Sequence, residues 1–225
     1  MYHFKLLFHI HTIYSWDGFI NFNDLIKVIK KYKITHVCLT EHNNIDSYFK
    51  FYNYLKAKEV NTELIPAVEY STEVGDIIIV GLTNLITFSN WKELIRKAKQ
   101  LNGLIILPHP FKRIDYPNDL IEAIDYFEII NVRGLTREIK CLEKLVYKPF
   151  IYAVDAHDKI ELPGIINHIF TENKNLLEAL KNQQVAIFPQ LVRKDFYFLN
   201  KIILVYEKIK RILLRRKNDT NTFNL

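Results

Sequence analysis

Short apolar runs alternate with longer helical patterns along residues 1–190, and this alternation constrains the fold more than any other feature of the chain. In residues 24–32, for example, apolar side chains recur at helical spacing, and Asn23 is the expected N-cap. Strands that alternate with helices favour a parallel sheet with helices outside it. About seven such units predict an α/β fold, a compact closed or nearly closed β/α barrel. The predicted strands are residues 5–10, 36–40, 64–68, 77–81, 104–107, 127–131, 150–154 and 168–171, and the predicted helices are 24–32, 47–58, 89–101, 118–124, 136–146 and 175–181.

The composition is that of a globular protein, with 225 residues of which 49% are hydrophobic and 25% charged. No run approaches the roughly 20 apolar residues that span a bilayer, and the first residues lack a signal-peptide pattern. Two cysteines without a CxxC pair exclude a disulfide framework. We therefore expect reduced thiols and a cytoplasmic protein without a transmembrane segment.

The positive charge is concentrated in the C-terminal part of the chain. Residues 201–225 hold seven lysines and arginines against two acidic residues, and so carry five of the six net positive charges. We expect one domain at 1–190 and a basic amphipathic helical tail at 191–225, whose last residues are disordered. The tail is open to three interpretations: a helix packed on the barrel, a helix on an anionic membrane surface, or a binding segment for the backbone of a nucleic acid.

Histidines and carboxylates recur just past the ends of the predicted strands. Because the carboxyl ends of the strands of a β/α barrel meet on one face, these side chains are expected to converge there. Imidazole and carboxylate groups together favour a site for Zn, Mn or Fe ions. The candidate residues for catalysis and metal binding are His9, His11, Asp17, His42, Glu69, His109, Asp155 and His157.

The spacing within two of these fragments has a direct structural interpretation. Side chains alternate along a strand, so His9 and His11 lie on one face and can bind one ion, and the same holds for Asp155 and His157. A single HxH pair is weak evidence, but five fragments at successive strand ends are not. His3, His36 and His168 precede or begin strands and are interpreted as ordinary structural residues.

The motifs HxHTxxSxDG, TEH, EYST, HP, ExxNxR and DAH occur in that order from His9 to His157. Together they resemble the PHP (polymerase and histidinol phosphatase) family. The resemblance covers about residues 5–185. It implies a distorted, TIM-like barrel of seven β/α units with a two- or three-metal centre at its mouth. It also implies hydrolysis of phosphate esters with a metal-bound hydroxide as nucleophile.

The resemblance also implies how the ligands are shared among the ions. His9, His11, Glu69 and Asp155 would bind one ion, Asp17, His42 and His157 a second, and His109 with Glu69 a third. The chain departs from the family in two places. Glu41 replaces the usual Asp of the second motif, where it is expected to orient ligands, and the strand after Glu69 lacks a His. We therefore expect two well-held ions and a weak or absent third, unless Asn131 or a water completes it.

Basic side chains near the predicted barrel mouth are candidates for substrate binding. Lys112 and Arg113 follow the HP motif, and Arg133 and Arg137 follow Asn131. A guanidinium group binds phosphate through two parallel hydrogen bonds, so Arg133 is the first choice for a phosphate clamp. Tyr14 and Trp16, beside Asp17, either stack on a base or sugar ring or serve as packing residues.

These observations predict a metal-dependent phosphoesterase acting on a small phosphomonoester or a nucleotide. One alternative is a 5′-to-3′ exonuclease on short phosphorylated nucleic acids, with the basic tail adding affinity. Another is a PHP module that has lost catalysis and serves in binding. The identity of the substrate, the choice between monoester and diester cleavage, the metal species and the oligomeric state are left open by the sequence.

Overall fold

The structure, a computed structural model, describes residues 1–110, 116–129, 147–153 and 155–192. Its strands are β1 Tyr2–Ile10, β2 His36–Leu39, β3 Glu63–Leu64, β4 Ala67–Thr72, β5 Gly75–Val80, β6 Leu104–Leu107, β7 Tyr126–Ile129, β8 Phe150–Tyr152, β9 Ile165–Thr171 and β10 Ala186–Leu191. Its helices are α1 Phe22–Tyr32, α2 Asp46–Ala57, α3 Trp91–Gln100, α4 Asn118–Ala123 and α5 Leu176–Lys181, with a short 3-10 helix at Lys159–Glu161. In these residues no helix is long and apolar enough to cross a membrane.

The α/β fold is confirmed, but the closed parallel barrel is not. The described strands form two five-stranded sheets, in the orders β10-β9-β1-β2-β3 and β4-β5-β6-β7-β8. Both sheets are mixed: β9 runs antiparallel to β1 and β10, and β5 runs antiparallel to β4 and β6. β4 and β5 are antiparallel because only two residues separate Thr72 from Gly75, and a parallel pair would need a much longer crossover.

The two sheets approach each other at the carboxyl ends of β1 and β2. Single parallel bridges join Ile10 to Ala156 and His42 to Glu69. In the first of these, His11 N donates to Ala156 O at 2.8 Å and Ala156 N donates to His9 O at 3.1 Å. These two bridges bring the chain segments with the candidate ligands into contact.

A side chain makes a further connection between the sheets. Asn167 of β9 is fully buried, and its Oδ1 accepts a hydrogen bond from Tyr152 N at 3.0 Å. Its Nδ2 donates to Tyr152 O at 2.8 Å and lies 3.4 Å from Leu6 O. The amide thus connects the backbone of β8 in one sheet to that of β1 in the other.

Apolar packing holds the helices and sheets together in two clusters. One cluster packs α3 and α4 on β4 to β7, with Leu94 and Leu120 fully buried. The other lies among residues of both sheets, including Phe8, Ile78 and Tyr126. Each large apolar side chain buried in this way contributes about 1.5–3 kcal/mol relative to exposure.

The predicted helices and strands in the described residues are present, with differences in detail. The N-cap of α1 is Asn21, whose side chain accepts from Asp24 N, so the prediction of Asn23 was wrong. The predicted strand 64–68 is two strands, β3 and β4, and β10 was not predicted. The predicted helix 136–146 and residues 193–225 lie outside the described residues, so the division at residue 190 stays a prediction.

Candidate metal centre

The end of β1 places two histidines side by side through a bulge. His9 has a positive φ of 61°, and the register with β2 shifts between Leu7 and Ile10. Strand alternation alone therefore does not account for the pairing of His9 with His11, although their Nε2 atoms lie 3.1 Å apart. His109 and Asp155 also have positive φ, at 31° and 52°. Such conformations cost about 1–3 kcal/mol each and cluster at functional sites.

The first group of candidate ligands surrounds the two histidines. His9 Nε2 lies 3.2 Å from Asp155 Oδ1 and 3.4 Å from Glu69 Oε2. His11 Nε2 lies 3.1 Å from Glu69 Oε2 and 3.5 Å from Asp155 Oδ1. All four side chains are buried, so the group is closed to bulk water on this side.

The second group contains Asp17, His42 and His157. Asp17 Oδ2 lies 3.1 Å from His157 Nε2 and 3.4 Å from His42 Nε2. The ring of His11 stacks on both histidines, with centroids 4.4 Å from His42 and 4.2 Å from His157. The side chains of Asp17 and His42 are 12% and 14% exposed, so the site opens to solvent here.

The third group forms around the other oxygen of Glu69. His109 Nε2 lies 3.0 Å from Glu69 Oε1, whereas Glu69 Oε2 faces the first two groups. Where the strand after Glu69 lacks a His, Asp76 at the start of β5 places Oδ2 3.7 Å from His109 Nε2. Sequence reasoning missed Asp76, although a carboxylate directly after Gly75, at the start of a predicted apolar strand, was a visible signal.

Three histidines are fixed so that Nε2 points into the centre. His9 Nδ1 lies 2.5 Å from Glu128 Oε1, and His157 Nδ1 lies 2.9 Å from Asp155 O; both partners accept and cannot donate. His11 Nδ1 lies 3.2 Å from Ser15 Oγ. The Ser15 hydroxyl donates its hydrogen to Glu41, so in this pair His11 is the donor. In the neutral form, each Nε2 therefore keeps its lone pair for a cation.

Glu128 was not predicted as a site residue, although it stood within one of the motifs. Its Oε2 accepts from His109 N at 2.9 Å while its Oε1 contacts His9, and the side chain is fully buried. A buried acid between Phe127 and Ile129 was the signal in the sequence. Glu161 was missed too; its carboxylate accepts from His157 N at 2.5 Å and Asp158 N at 2.9 Å.

Glu41 lies behind the loop that follows β1. Its carboxylate accepts from Thr12 N at 3.0 Å, from Thr12 Oγ1 at 2.5 Å and from Ser15 Oγ at 2.5 Å. Ser15 Oγ in turn accepts from His42 N at 3.1 Å. Glu41 thus holds the loop after β1 directly and the backbone of His42 through Ser15. All of its hydrogen-bond donors are neutral.

The buried charges of the centre shift one another's protonation equilibria. Burial alone would lower the pKa of His11, but the carboxylates of Asp155 and Glu69 outweigh it and raise that pKa to about 9. The pKa of His9 is raised well above its usual range, because Glu128, Asp155 and Glu69 outweigh burial. For Glu69 and Asp17, burial is outweighed by the neighbouring histidines, which lower the pKa of each carboxyl.

These residues fit divalent cations. Among the described residues, three buried side-chain atoms of the centre have no hydrogen-bond partner: Asp17 Oδ1, His42 Nδ1 and Glu69 Oε2. Glu69 Oε2 lies within 3.4 Å of nitrogens of His9, His11 and His42 but forms a hydrogen bond with none of them. Orphaned buried atoms cost about 1–3 kcal/mol each, and cations would satisfy them. The mixed imidazole and carboxylate ligands suit Zn, Mn or Fe.

All eight predicted ligands come together, and the three histidines interpreted as structural lie elsewhere. The groups with ligand atoms within 4.8 Å of one another are His11, Asp17, His42 and His157; His9, Glu69 and His109; and His9, His11 and Asp155. His3 hydrogen-bonds His168 at 2.9 Å and His36 pairs with Glu63 at 3.3 Å, both away from the centre. The predicted substrate residues Lys112, Arg113 and Arg133, with Arg137 and Asn131, lie outside the described residues.

Comparison with known proteins identifies the family. The sequence profile of the PHP domain matches residues 8–179. An uncharacterised protein of Methanocaldococcus jannaschii is 31% identical in an alignment of 162 positions that covers 63% of this chain and 94% of that protein.

Two solved structures are similar in fold. A two-domain protein of Bacteroides vulgatus with a predicted PHP-like metal-dependent phosphoesterase has a TM-score of 0.67 and 17% identity, over 88% of this chain and 69% of that one. A lesion-specific endonuclease of Pyrococcus furiosus has a TM-score of 0.61 and 15% identity, over 83% of this chain and 58% of the endonuclease. Because the family profile spans the segment that contains all eight predicted ligands, this chain belongs to the PHP domain family.

Proposed function

We propose that the protein is a metal-dependent phosphoesterase that hydrolyses a small phosphomonoester or a nucleotide. The observation that carries this proposal is the arrangement around Glu69, whose Oε2 lies between His9 and His11 of the first group and His42 of the second, while its Oε1 faces His109. Family membership supports the reaction class, since the family includes PHP-like metal-dependent phosphoesterases.

In this proposal, His9, His11, Glu69 and Asp155 hold one cation, and Asp17, His42 and His157 hold a second. When bound, a pair of cations supplies Lewis acidity to a phosphoryl oxygen and acidifies a water. The ions proposed are Zn, Mn or Fe, which accept both imidazole and carboxylate ligands.

The remaining residues of the chain orient these ligands and restrict water. Glu128 keeps His9 in one tautomer, and Glu41 holds the loop that carries Asp17. The side chains of His9 and Glu69 are fully buried, whereas Asp17 and His42 are partly exposed. The substrate therefore approaches from the side of Asp17 and His42, where the phosphate meets the second group of ligands. Lys112, Arg113 and Arg133 remain our candidates for binding that phosphate.

A third cation would be held more weakly, between His109 and Glu69. The longer distance of 3.7 Å to Asp76 makes this carboxylate the candidate that completes the third group. A count of two metal ions per chain supports a centre of two well-held ions, and a count of three supports a filled third group.

A second candidate activity is cleavage at the end of a nucleic acid. The fold similarity to the Pyrococcus furiosus endonuclease is compatible with this activity, and the basic residues 201–225 would add affinity for a nucleic acid backbone. A phosphorylated DNA or RNA end presents the same phosphate chemistry to the centre as a nucleotide does, so the two activities differ in the rest of the substrate.

The test measures hydrolysis of 4-nitrophenyl phosphate by purified protein together with its metal content. We expect activity that depends on Mn²⁺ or Zn²⁺ and disappears with a chelator. His9→Ala and Asp155→Asn should reduce activity to background and lower the metal content, while His168→Ala, a histidine outside the centre, should do neither. Activity that survives the chelator would contradict the proposal, and inactive protein with near-zero bound metal would favour an inert binding module.

A further inference from the structure

Large apolar side chains are exposed on the loop of residues 12–20, next to a centre made of charged groups. Trp16 is 74% exposed, Ile13 is 59% exposed and Phe19 is 37% exposed. Exposed apolar side chains beside a concave polar site are typical of a binding surface rather than of a solvated loop.

The loop that carries Trp16 is held by backbone hydrogen bonds at several points. Ile13 N donates to Ile20 O at 3.1 Å, and Phe19 N donates to His157 O at 2.7 Å. At Gly18 a Cβ atom would lie 2.0 Å from Thr12 O, so the turn closes more tightly than other residues permit. Because the loop is already ordered, little conformational entropy is lost when a ligand binds to it.

Trp16 lies at the open side of the centre. Its ring stacks on the ring of His42, with centroids 5.9 Å apart and planes 25° from parallel. Tyr14, the other aromatic residue of this loop, is already packed: its ring stacks on Phe22 at 5.5 Å, and Lys50 Nζ lies 4.4 Å from its centroid. Of the two aromatic residues considered from the sequence, Trp16 therefore has the more exposed side chain.

We propose that Trp16 is a substrate-binding residue that stacks on a planar ring, so that the preferred substrate is a phosphate ester bearing a nucleobase. This inference rests on the proposed function, because the phosphate would occupy the centre while the base lies on the indole. Stacking of a base on an aromatic side chain contributes about 1–3 kcal/mol and requires no particular base. The same chemistry is offered by a free nucleotide and by the terminal nucleotide of a nucleic acid.

The first test is direct binding, measured by tryptophan fluorescence. The chain has two tryptophans, and Trp91 is only 7% exposed, so an added ligand should act mainly on the emission of Trp16. With metal-loaded protein, we expect adenosine monophosphate to quench this emission and ribose 5-phosphate to leave it unchanged. Trp16→Phe should retain most of the affinity for adenosine monophosphate, measured by calorimetry, and Trp16→Ala should lower it about tenfold.

The second test compares turnover of the same two compounds. In Trp16→Ala, the ratio of kcat/KM for adenosine monophosphate to that for ribose 5-phosphate should fall about tenfold. Phe188→Ala, which removes an exposed aromatic side chain from β10, should leave the ratio unchanged. A 5′-phosphorylated dinucleotide, tested in parallel, shows whether the source of the base is a free nucleotide or a nucleic acid end.

Two results would overturn the role of Trp16: wild-type protein that binds both compounds equally, or a Trp16→Ala variant that loses both to the same extent. If the wild type hydrolyses neither compound nor 4-nitrophenyl phosphate, the proposed function fails. The quenching experiment still decides the role of Trp16 in that case, because it measures binding without turnover.

Discussion

At the residue scale, the centre depends on carboxylates that fix the histidines rather than on the histidines alone. Glu128 is the clearest example, because one of its oxygens contacts His9 Nδ1 and the other accepts from His109 N. It joins two of the three ligand groups without being a candidate ligand itself. This makes Glu128 a positioning residue whose effect can be separated from direct binding.

Glu128→Gln should keep the fold but weaken metal binding about 10- to 100-fold, since an amide can accept from only one of the two donors and removes the charge beside His9. The metal dissociation constant, measured by competition with a chromophoric chelator, is the appropriate readout. Glu122→Gln, an exposed position on α4, is the matched control. Unchanged metal affinity in Glu128→Gln would mean that His9 is oriented by packing alone.

Residue types and spacing made the eight candidate ligands predictable, but not the residues that support them. HxH, TEH, HP and DAH are local patterns, and each stands at a strand end that the apolar runs already indicate. The contact between His9 and Glu128 joins residues 119 positions apart, and no local pattern contains it. The same is true of the positive φ at His9, because the bulge is defined against β2 rather than within β1.

At the element scale, the positions of the strands were more predictable than their directions. The alternation of apolar runs and helices located β1, β2, β6 and β7 closely. The antiparallel direction of β5 was not predictable, because the turn residues Glu73 and Val74 lack the Asn-Gly or Asp-Gly signature of a tight hairpin and residues 77–80 are a continuous apolar run. β10 escaped prediction because its residues are mostly exposed and include Pro189, which weakens a strand pattern.

The Asn167 side chain connects the backbone of β8 to that of β1, so its removal tests one of the contacts that hold the two sheets together. Asn167→Ala should lower the free energy of unfolding by about 1 kcal/mol, because it removes the hydrogen bonds to the partly buried backbone groups of Tyr152. Thermal or urea unfolding measures the loss. Asn61→Ala, at an exposed position, should cost much less. Equal stability of the two variants would show that water or a local shift replaces the amide.

At the scale of the whole molecule, cations and protons compete for the same buried groups, so stability and metal binding are linked through pH. Without metal, the pKa of His11 is about 9, since Asp155 and Glu69 outweigh the effect of burial. A raised pKa stabilises the folded state fully below the unfolded value of about 6.5, and this stabilisation is lost as the pH rises through about 9. Glu69 and Asp17 have lowered pKa values and stay ionised throughout this range.

The stabilisation produced by metal should therefore grow with pH. At pH 6 a cation must displace protons from His9 and His11, whereas at pH 8 fewer protons compete and the metal-free protein has begun to lose its own charge pairing. The expected outcome is a difference in Tm, between Mn²⁺-loaded and chelator-treated protein, that is smaller at pH 6 than at pH 8. Proton release on adding Mn²⁺ in weak buffer gives an independent measurement. A difference in Tm that stays constant or shrinks across this range would mean that the cations bind without displacing protons from these two histidines.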